Sequence, residues 1–270
     1  LRLVNPLVEV HFDKVTAEIT AFHDVKNAHD WCSIAKRMGS YSYQTFSSGD
    51  YERFIRQYIL PSMQTSGWAI EDFGKPGLEK ANPASRMWKP EVTGVYRRED
   101  AEGSSLLFRM NFNDEAVEEY GAPAKTYIKY AGKKNEKRVN IDLQWVKKSP
   151  CRMPEAFWFS FMPESAAGME WEMEKLGRWI SPLSVVENGN RHLHAVGRGV
   201  RLGSKQHSLL ISPLDSALVA PGQRSLLDFN NDQPDLAQGM HFCLLNNLWG
   251  TNFPMWFEED CHFRFEIEIK

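Results

Sequence analysis

The sequence predicts an all-β fold, a large antiparallel sandwich with one or two short helices, and three observations carry that reading. Most apolar runs alternate with a period of two, turn residues separate them at short spacing, and only one stretch has a strong helical period. The clearest alternation is the last. CHFRFEIEIK sets Phe263, Phe265, Ile267 and Ile269 on one face and Arg264, Glu266, Glu268 and Lys270 on the other, the pattern of a half-buried antiparallel strand.

Taken from the start, LVEVHFDKVTAEITAF reads as two strands, residues 7–12 and 15–22, around a tight Asp13-Lys14 turn. SSGDYERFIRQYILP spaces Tyr51, Phe54, Ile55, Tyr58 and Ile59 as one helical face, with Asp50 as N-cap and Pro61 as the stop. Residues 71–90 hold three prolines and two glycines with little periodicity, so a long surface loop is expected there. SLLFRMNF alternates through Leu106, Phe108, Met110 and Phe112, and a short helix follows, capped by Asn113 and ended by Gly121 before Pro123. KTYIKY, KRVNIDLQWV (Val139, Ile141, Leu143 and Trp145 inward), PEAFWFSF, KQHSLLIS and GMHFCLLNNL complete the strand candidates. At 270 residues such a sandwich forms one domain, residues 1–270.

Composition narrows the partners. A net charge of -3 provides no electrostatic footprint for nucleic acid, and no run of 18 apolar residues spans a membrane. Cys32, Cys151, Cys243 and Cys261 lie far apart without a C-x-x-C pair, which points to free thiols rather than a zinc knuckle. Phosphate-binding glycine loops and the G-x-S-x-G elbow are missing from the sequence. The chain opens LRLVNPLVEVHF without an initiator Met, so we expect a segment of a longer polypeptide; no compartment is assigned.

Residues 246–260, NNLWGTNFPMWFEED, are the compositional oddity. Between two strands they form a loop that Gly250 and Pro254 hold in a defined shape. Sugars present apolar C–H faces that stack on indoles and hydroxyls that bond amides and carboxylates. Asn246, Asn247, Trp249, Thr251, Asn252, Trp256 and Glu258 supply both kinds of group and are the candidate ligand-binding residues, with carbohydrate as the ligand. The competing use of these residues is structural: aromatics plugging one end of the sandwich while the asparagines bond their own turns. Glycoside hydrolysis needs a carboxylate pair, and Glu155, Asp215 and the run Glu258, Glu259, Asp260 show no convergence in sequence. His192 and His194 fall on one strand face with no further ligand at local spacing, so no metal or other cofactor is expected in this chain.

Several stretches together resemble the domain-of-unknown-function 5054 family, large proteins akin to the family 38 glycoside hydrolases, the α-mannosidases. They are MGSYSYQTFSSGDYERFIRQYI, EYGAP, MPEAFWFSF, ISPLSVVENGNRHLHAV, LDSALVAPG and, above all, GMHFCLLNNLWGTNFPMWFEEDCHFRF. The resemblance implies a C-terminal, galactose-mutarotase-like supersandwich following a catalytic barrel of the same chain. It also implies that any zinc and the nucleophile lie in that barrel, and that this segment alone is inactive while it supports the barrel and lends side chains to a sugar cleft. The alternatives kept beside it are an independent carbohydrate-binding module, a purely structural packing domain, and an enzyme in its own right. That last reading requires Glu155, Asp215 or a C-terminal acid to share a pocket with His192 or His194.

Overall fold

A computed structural model describes residues 1–204, 207–251 and 254–270. In chain order the strands are β1 (Arg2–Val4), β2 (Val8–Phe12), β3 (Ile19–Asp24), β4 (His29–Asp30), β5 (Met38–Thr45), β6 (Arg86–Trp88), β7 (Glu91–Glu99), β8 (Gly103–Asn111), β9 (Lys125–Lys133) and β10 (Arg138–Val146). They continue as β11 (Glu155–Phe161), β12 (Glu170–Lys175), β13 (Arg178–Ile180), β14 (His194–Ala195), β15 (Val200–Gly203), β16 (Ser208–Pro213), β17 (Leu218–Pro221), β18 (Met240–Asn247) and β19 (Cys261–Ile269). The first sheet runs β1-β2-β3-β5-β11-β18-β17-β14, with β4 beside β3 and β6 beside β5. The second runs β13-β12-β15-β16-β19-β10-β9-β8-β7. The all-β sandwich expected from the period-two pattern is what forms.

Register explains the core. In β10 and β19 the pairs Val139–Ile267, Ile141–Phe265 and Leu143–Phe263 place the apolar set of both strands on one face, where all six residues are buried. That face meets the inward set of the first sheet. Trp145 stacks on Phe157 at 4.5 Å between ring centroids, Phe265 lies 5.2 Å from Phe159 and 5.3 Å from Phe242, and Phe12 sits 4.7 Å from Tyr130. The outer face of the second sheet is polar and laced with pairs such as Arg138 with Glu266 and Glu268. The first sheet differs, since all seven residues of β11 are buried, so its outer face is covered as well.

Local details differ from the sequence reading in three places. The second strand of the entry hairpin starts at Ile19, not residue 15, because the Asp13 carboxylate accepts the backbone N–H groups of Val15 and Thr16 and holds residues 13–18 as a loop. Helix α1 (Ser48–Tyr58) is capped by Ser47 rather than Asp50. Asp50 stands three residues on and accepts back from the Ser47 N–H and Oγ, a capping box. Residues 71–90 are more than a surface loop. They include the end of α2 (Gly67–Asp72), α3 (Leu78–Ala81) and β6, and they bury Lys75, Leu78 and Trp88, whose indole N–H donates to Thr45 Oγ1. The fourth helix, α4 (Asp114–Glu118), has the expected Asn113 cap, its side chain accepting from the Ala116 N–H. All four cysteines are free. Among the described residues no helix is long and apolar enough to cross a membrane.

Of the buried histidines, His194 and His241 bond no carboxylate and bear on the acid behaviour of the fold. Burial, with Lys175 next, lowers the pKa of His194 to about 4, while burial, with Arg224 next, lowers that of His241 to about 3. Both folded values lie below the unfolded one, so the unfolded chain takes up protons first as pH falls and stability drops below about pH 6.5. We expect urea-unfolding free energies to fall from pH 6.5 to pH 5 with a slope approaching about 1.4 kcal/mol per unit for each histidine. His194→Gln, which keeps a donor for the Arg191 carbonyl, should flatten that slope; an unchanged slope in the variant would assign it elsewhere.

Candidate functional site

The outer face of the first sheet builds the site. On β11, Ala156 and Trp158 point away from the sandwich core and join Cys243 of β18 and Ala220 of β17 in a second apolar cluster. Helix α1 lies across this floor through Tyr51 and Phe54, and the Tyr51 hydroxyl donates to the Leu248 carbonyl at 2.7 Å. Beyond the end of the helix the cover is incomplete and leaves a cleft of about 410 Å³. One wall is aromatic: Phe54, Tyr58, Phe73, Phe229 and Trp249, with Trp249 at 5.5 Å from Phe54 and 6.2 Å from Phe73.

Polar groups enter the same cleft from other segments. Asn190 uses its side-chain oxygen on the His192 and Leu193 N–H groups, which fixes the turn. His192 reaches Asn230 Oδ1 through Nε2 at 3.1 Å. The Asp228 carboxylate is held by Arg53 Nε at 3.0 Å and Ser225 Oγ at 2.8 Å, so it is fixed in orientation on the rim. Asn246 closes the set. A larger depression of about 700 Å³ runs along β12 and β15, lined by Glu170, Glu172, Arg201 and small residues. With no aromatic ring on its walls it is the poorer candidate for an organic ligand.

Strand parity divides the two asparagines. Asn246 pairs with Ala156 and faces the cleft, whereas Asn247 pairs with Glu155 and turns to the inner side, at the end of the sandwich. There Asn247 Nδ2 donates to Glu155 Oε1 at 3.3 Å and to the Cys151 carbonyl at 3.2 Å, and Asn247 Oδ1 accepts from Lys75 Nζ at 2.7 Å. Glu155 Oε2 takes Lys148 Nζ at 3.0 Å, both side chains fully buried, and the Tyr43 hydroxyl at 2.9 Å. Burial raises the Glu155 pKa against the pull of Lys148, and burial lowers that of Lys75 to about 8.

The remaining candidates scatter. Thr251 is half-buried, Glu258 is exposed, and Trp256 is 40% exposed with the Arg152 guanidinium 4.7 Å from its ring. Asn252 lies outside the described residues. Of the acids, Glu155 is sealed in the ionic cluster and Asp215 is spent on Arg264, so neither lines the cleft with His192. His194 is buried outside the cleft lining, on the Arg191 carbonyl and Lys175. The acid that shares the cleft with His192 is Asp228, which the sequence reading missed. Among the described residues no group of three or more His, Cys, Asp or Glu side chains converges as a metal site.

Removing the anion of the buried pair should be costly. Glu155→Ala leaves the Lys148 ammonium uncompensated, and we expect a loss of about 3–5 kcal/mol in urea unfolding. The double variant Glu155→Leu with Lys148→Met should lose less than the sum of the two singles; strict additivity would mean the two charges do not act together.

Comparison with known proteins agrees with this architecture. An α-mannosidase from Enterococcus faecalis V583 superposes with a TM-score of 0.61 at 8% identity over 100% of this chain and 29% of its own. A protein in the glycosyl hydrolase family 38 from Enterococcus faecalis gives 0.57 at 7% identity over 100% of this chain and 30% of its own. A galactose mutarotase-like protein from Lactobacillus casei ATCC 334 gives 0.50 at 8% identity over 100% of this chain and 99% of its own. The chain thus spans about three-tenths of the two longer proteins, and at these identities the likeness is one of fold. No curated protein matches the sequence. The family profile described as "Domain of unknown function (DUF5054)" matches residues 4–140, half of the sequence, and the chain belongs to that family.

Proposed function

We propose that this domain is the β-sandwich part of an α-mannosidase-like glycoside hydrolase, which binds carbohydrate in the cleft beside Trp249 and packs against a catalytic domain of the parent protein. The observation that supports it is the joining of an aromatic wall to an amide, an imidazole and an oriented carboxylate in one cleft of about 410 Å³. A pyranose has matching surfaces: C–H faces for the rings and hydroxyls for Asn246, His192 and Asp228. The segment leading into the cleft adds a second support. Tyr58, Leu60, Met63, Trp68 and Ile70 are large, apolar and exposed within thirteen residues, Leu60 at 70% and Trp68 at 56%. An apolar run of that kind on a polar protein fits a packing face for another domain. Zinc, which the family 38 likeness implies for the parent, finds no set of three ligands among the described residues, so we assign any such ion to the catalytic domain.

Isothermal titration of this domain with methyl α-mannoside and a linear manno-oligosaccharide tests the cleft. Asn246→Ala and Trp249→Ala should each weaken binding about tenfold or more, roughly 1.4 kcal/mol, with the sheet signal in circular dichroism retained. If Trp249→Ala instead lowers stability by about 3–5 kcal/mol while the wild type binds no sugar on a glycan array, the domain is architectural. For the packing face, Leu60→Asp with Trp68→Asp in the parent protein should expose the inter-domain linker to protease. The same pair should leave sugar binding by the isolated domain unchanged.

A further inference from the structure

We propose that Lys75 is the positioning residue of the cleft, the clamp that holds the Phe73 and Trp249 rings of its aromatic wall in their relative positions. The inference deepens the carbohydrate reading above and rests on it for the ligand, though not for the clamp itself.

The two rings come from segments far apart in sequence. Phe73 ends α2, and Trp249 opens the loop after β18. Their backbones touch: the Gly250 N–H donates to the Asp72 carbonyl at 3.2 Å. A Cβ on Gly250 would stand 2.3 Å from the Glu71 carbonyl oxygen and 2.4 Å from that of Gly74, which is why the position is glycine. Lys75 follows directly in the first segment and is 7% exposed. Its ammonium spends all three donors on the far side: Asn247 Oδ1 at 2.7 Å, the Met255 carbonyl at 3.0 Å and the Arg152 carbonyl at 3.3 Å. Asn247 and Met255 lie on either side of Trp249 in sequence, so one side chain bonds the chain both before and after the indole.

The charge state of Lys75 governs the tie. A neutral amine keeps two N–H donors for three acceptors, and its remaining bonds lose their charge assistance. The charged groups that act on it are Glu155 of β11, which favours the ammonium, and Lys148 and Arg152, which oppose it; the Cys151 thiol also bears on it. Burial is the largest influence and brings its titration to about 8. The signs then diverge. Because the folded value lies below the unfolded one, this group adds to global stability as pH rises above 8, while the local clamp loosens over the same range. A lysine with a merely structural role would not separate those two readouts.

Amide exchange of the ligand-free domain, corrected for intrinsic rate, is the primary test. Protection of Gly250 and its neighbours should drop about tenfold between pH 7 and pH 9 in the wild type. It should be low at every pH in Lys75→Met and show no step in Lys75→Arg, whose charge persists. Titration with the manno-oligosaccharide should show affinity falling several-fold through the same step, and the urea midpoint should not fall with it. A protection profile shared by wild type and Lys75→Met overturns the clamp. The exchange step without sugar binding leaves the clamp standing and removes the carbohydrate reading. Sugar binding without the step does the reverse. Should Lys75→Arg fail to fold, the Lys75→Met comparison decides alone.

Discussion

Burial of β11 on both faces is the constraint from which the rest of the architecture follows. A sandwich needs only the inner face of each sheet to be apolar, and the second sheet obeys that rule with a charged, solvated outside. In β11 the inward set Phe157, Phe159 and Phe161 meets the opposite sheet, and the outward set Ala156, Trp158 and Ser160 is buried too. An indole on the outside of a central strand requires a cover, and the long connections supply it. Helix α1, the 222–239 connection between β17 and β18 and the loop after β18 converge there because each brings an apolar anchor: Phe54, Leu227 and Leu248. The cleft is the place where that cover does not close. Its aromatic character is a consequence, since the edges of an apolar lid are themselves apolar.

The end of the sandwich is sealed by charge rather than by rings. Tyr43, Glu155, Lys148, Asn247 and Lys75 form one buried chain, with two ammoniums for one carboxylate. Such an imbalance is tolerable only because backbone carbonyls of Arg152, Met255, Ser149 and Phe257 take up the surplus donors. Those carbonyls belong to irregular segments that lack sheet partners, so the lysines and the loops satisfy one another. This reciprocity holds Asn247, Met255 and Phe257 in place at the end of the sandwich.

Much of the fold was legible in the sequence, and the reason is physical. Period-two alternation is a local property, so Phe263, Phe265, Ile267 and Ile269 announce their face without knowledge of the partner strand. The Asn113 cap is local too, as is the helix over Tyr51 and Phe54. Errors arose where a side chain outranked the pattern: Asp13 bonding its own loop delayed β3, and Asp50 reads equally well as a cap and as the third residue of a capping box. The site was half legible. Asn246 and Asn247 are neighbours in a strand and therefore point to opposite sides, so only one of them can face a given cleft; that parity was in the sequence. What was not is long range. Lys75 sits in a stretch of prolines and glycines with no periodicity, and nothing local ties it to Asn247, 172 residues on. Asp228 likewise matters only because Arg53 and Ser225 orient it.

The likeness to much longer chains at 7–8% identity bears on which parts of the molecule carry information about ligand. At that distance what two sequences share is the alternation that makes strands pair and sheets stack, and that pattern is compatible with many chemistries. The groups that could distinguish one ligand from another, Trp249, Asn246, His192 and Asp228, lie at strand ends or in connections, outside the repeating pattern. A shared sandwich therefore explains the two packed sheets, whereas the covered outer face follows from this chain's own β11 and the connections that pack on it. The lining of the cleft accordingly comes from connections that include α1, the 222–239 connection and the loop after β18. Lys75 matters beyond its own contacts because it couples the third of these to the segment bearing Phe73.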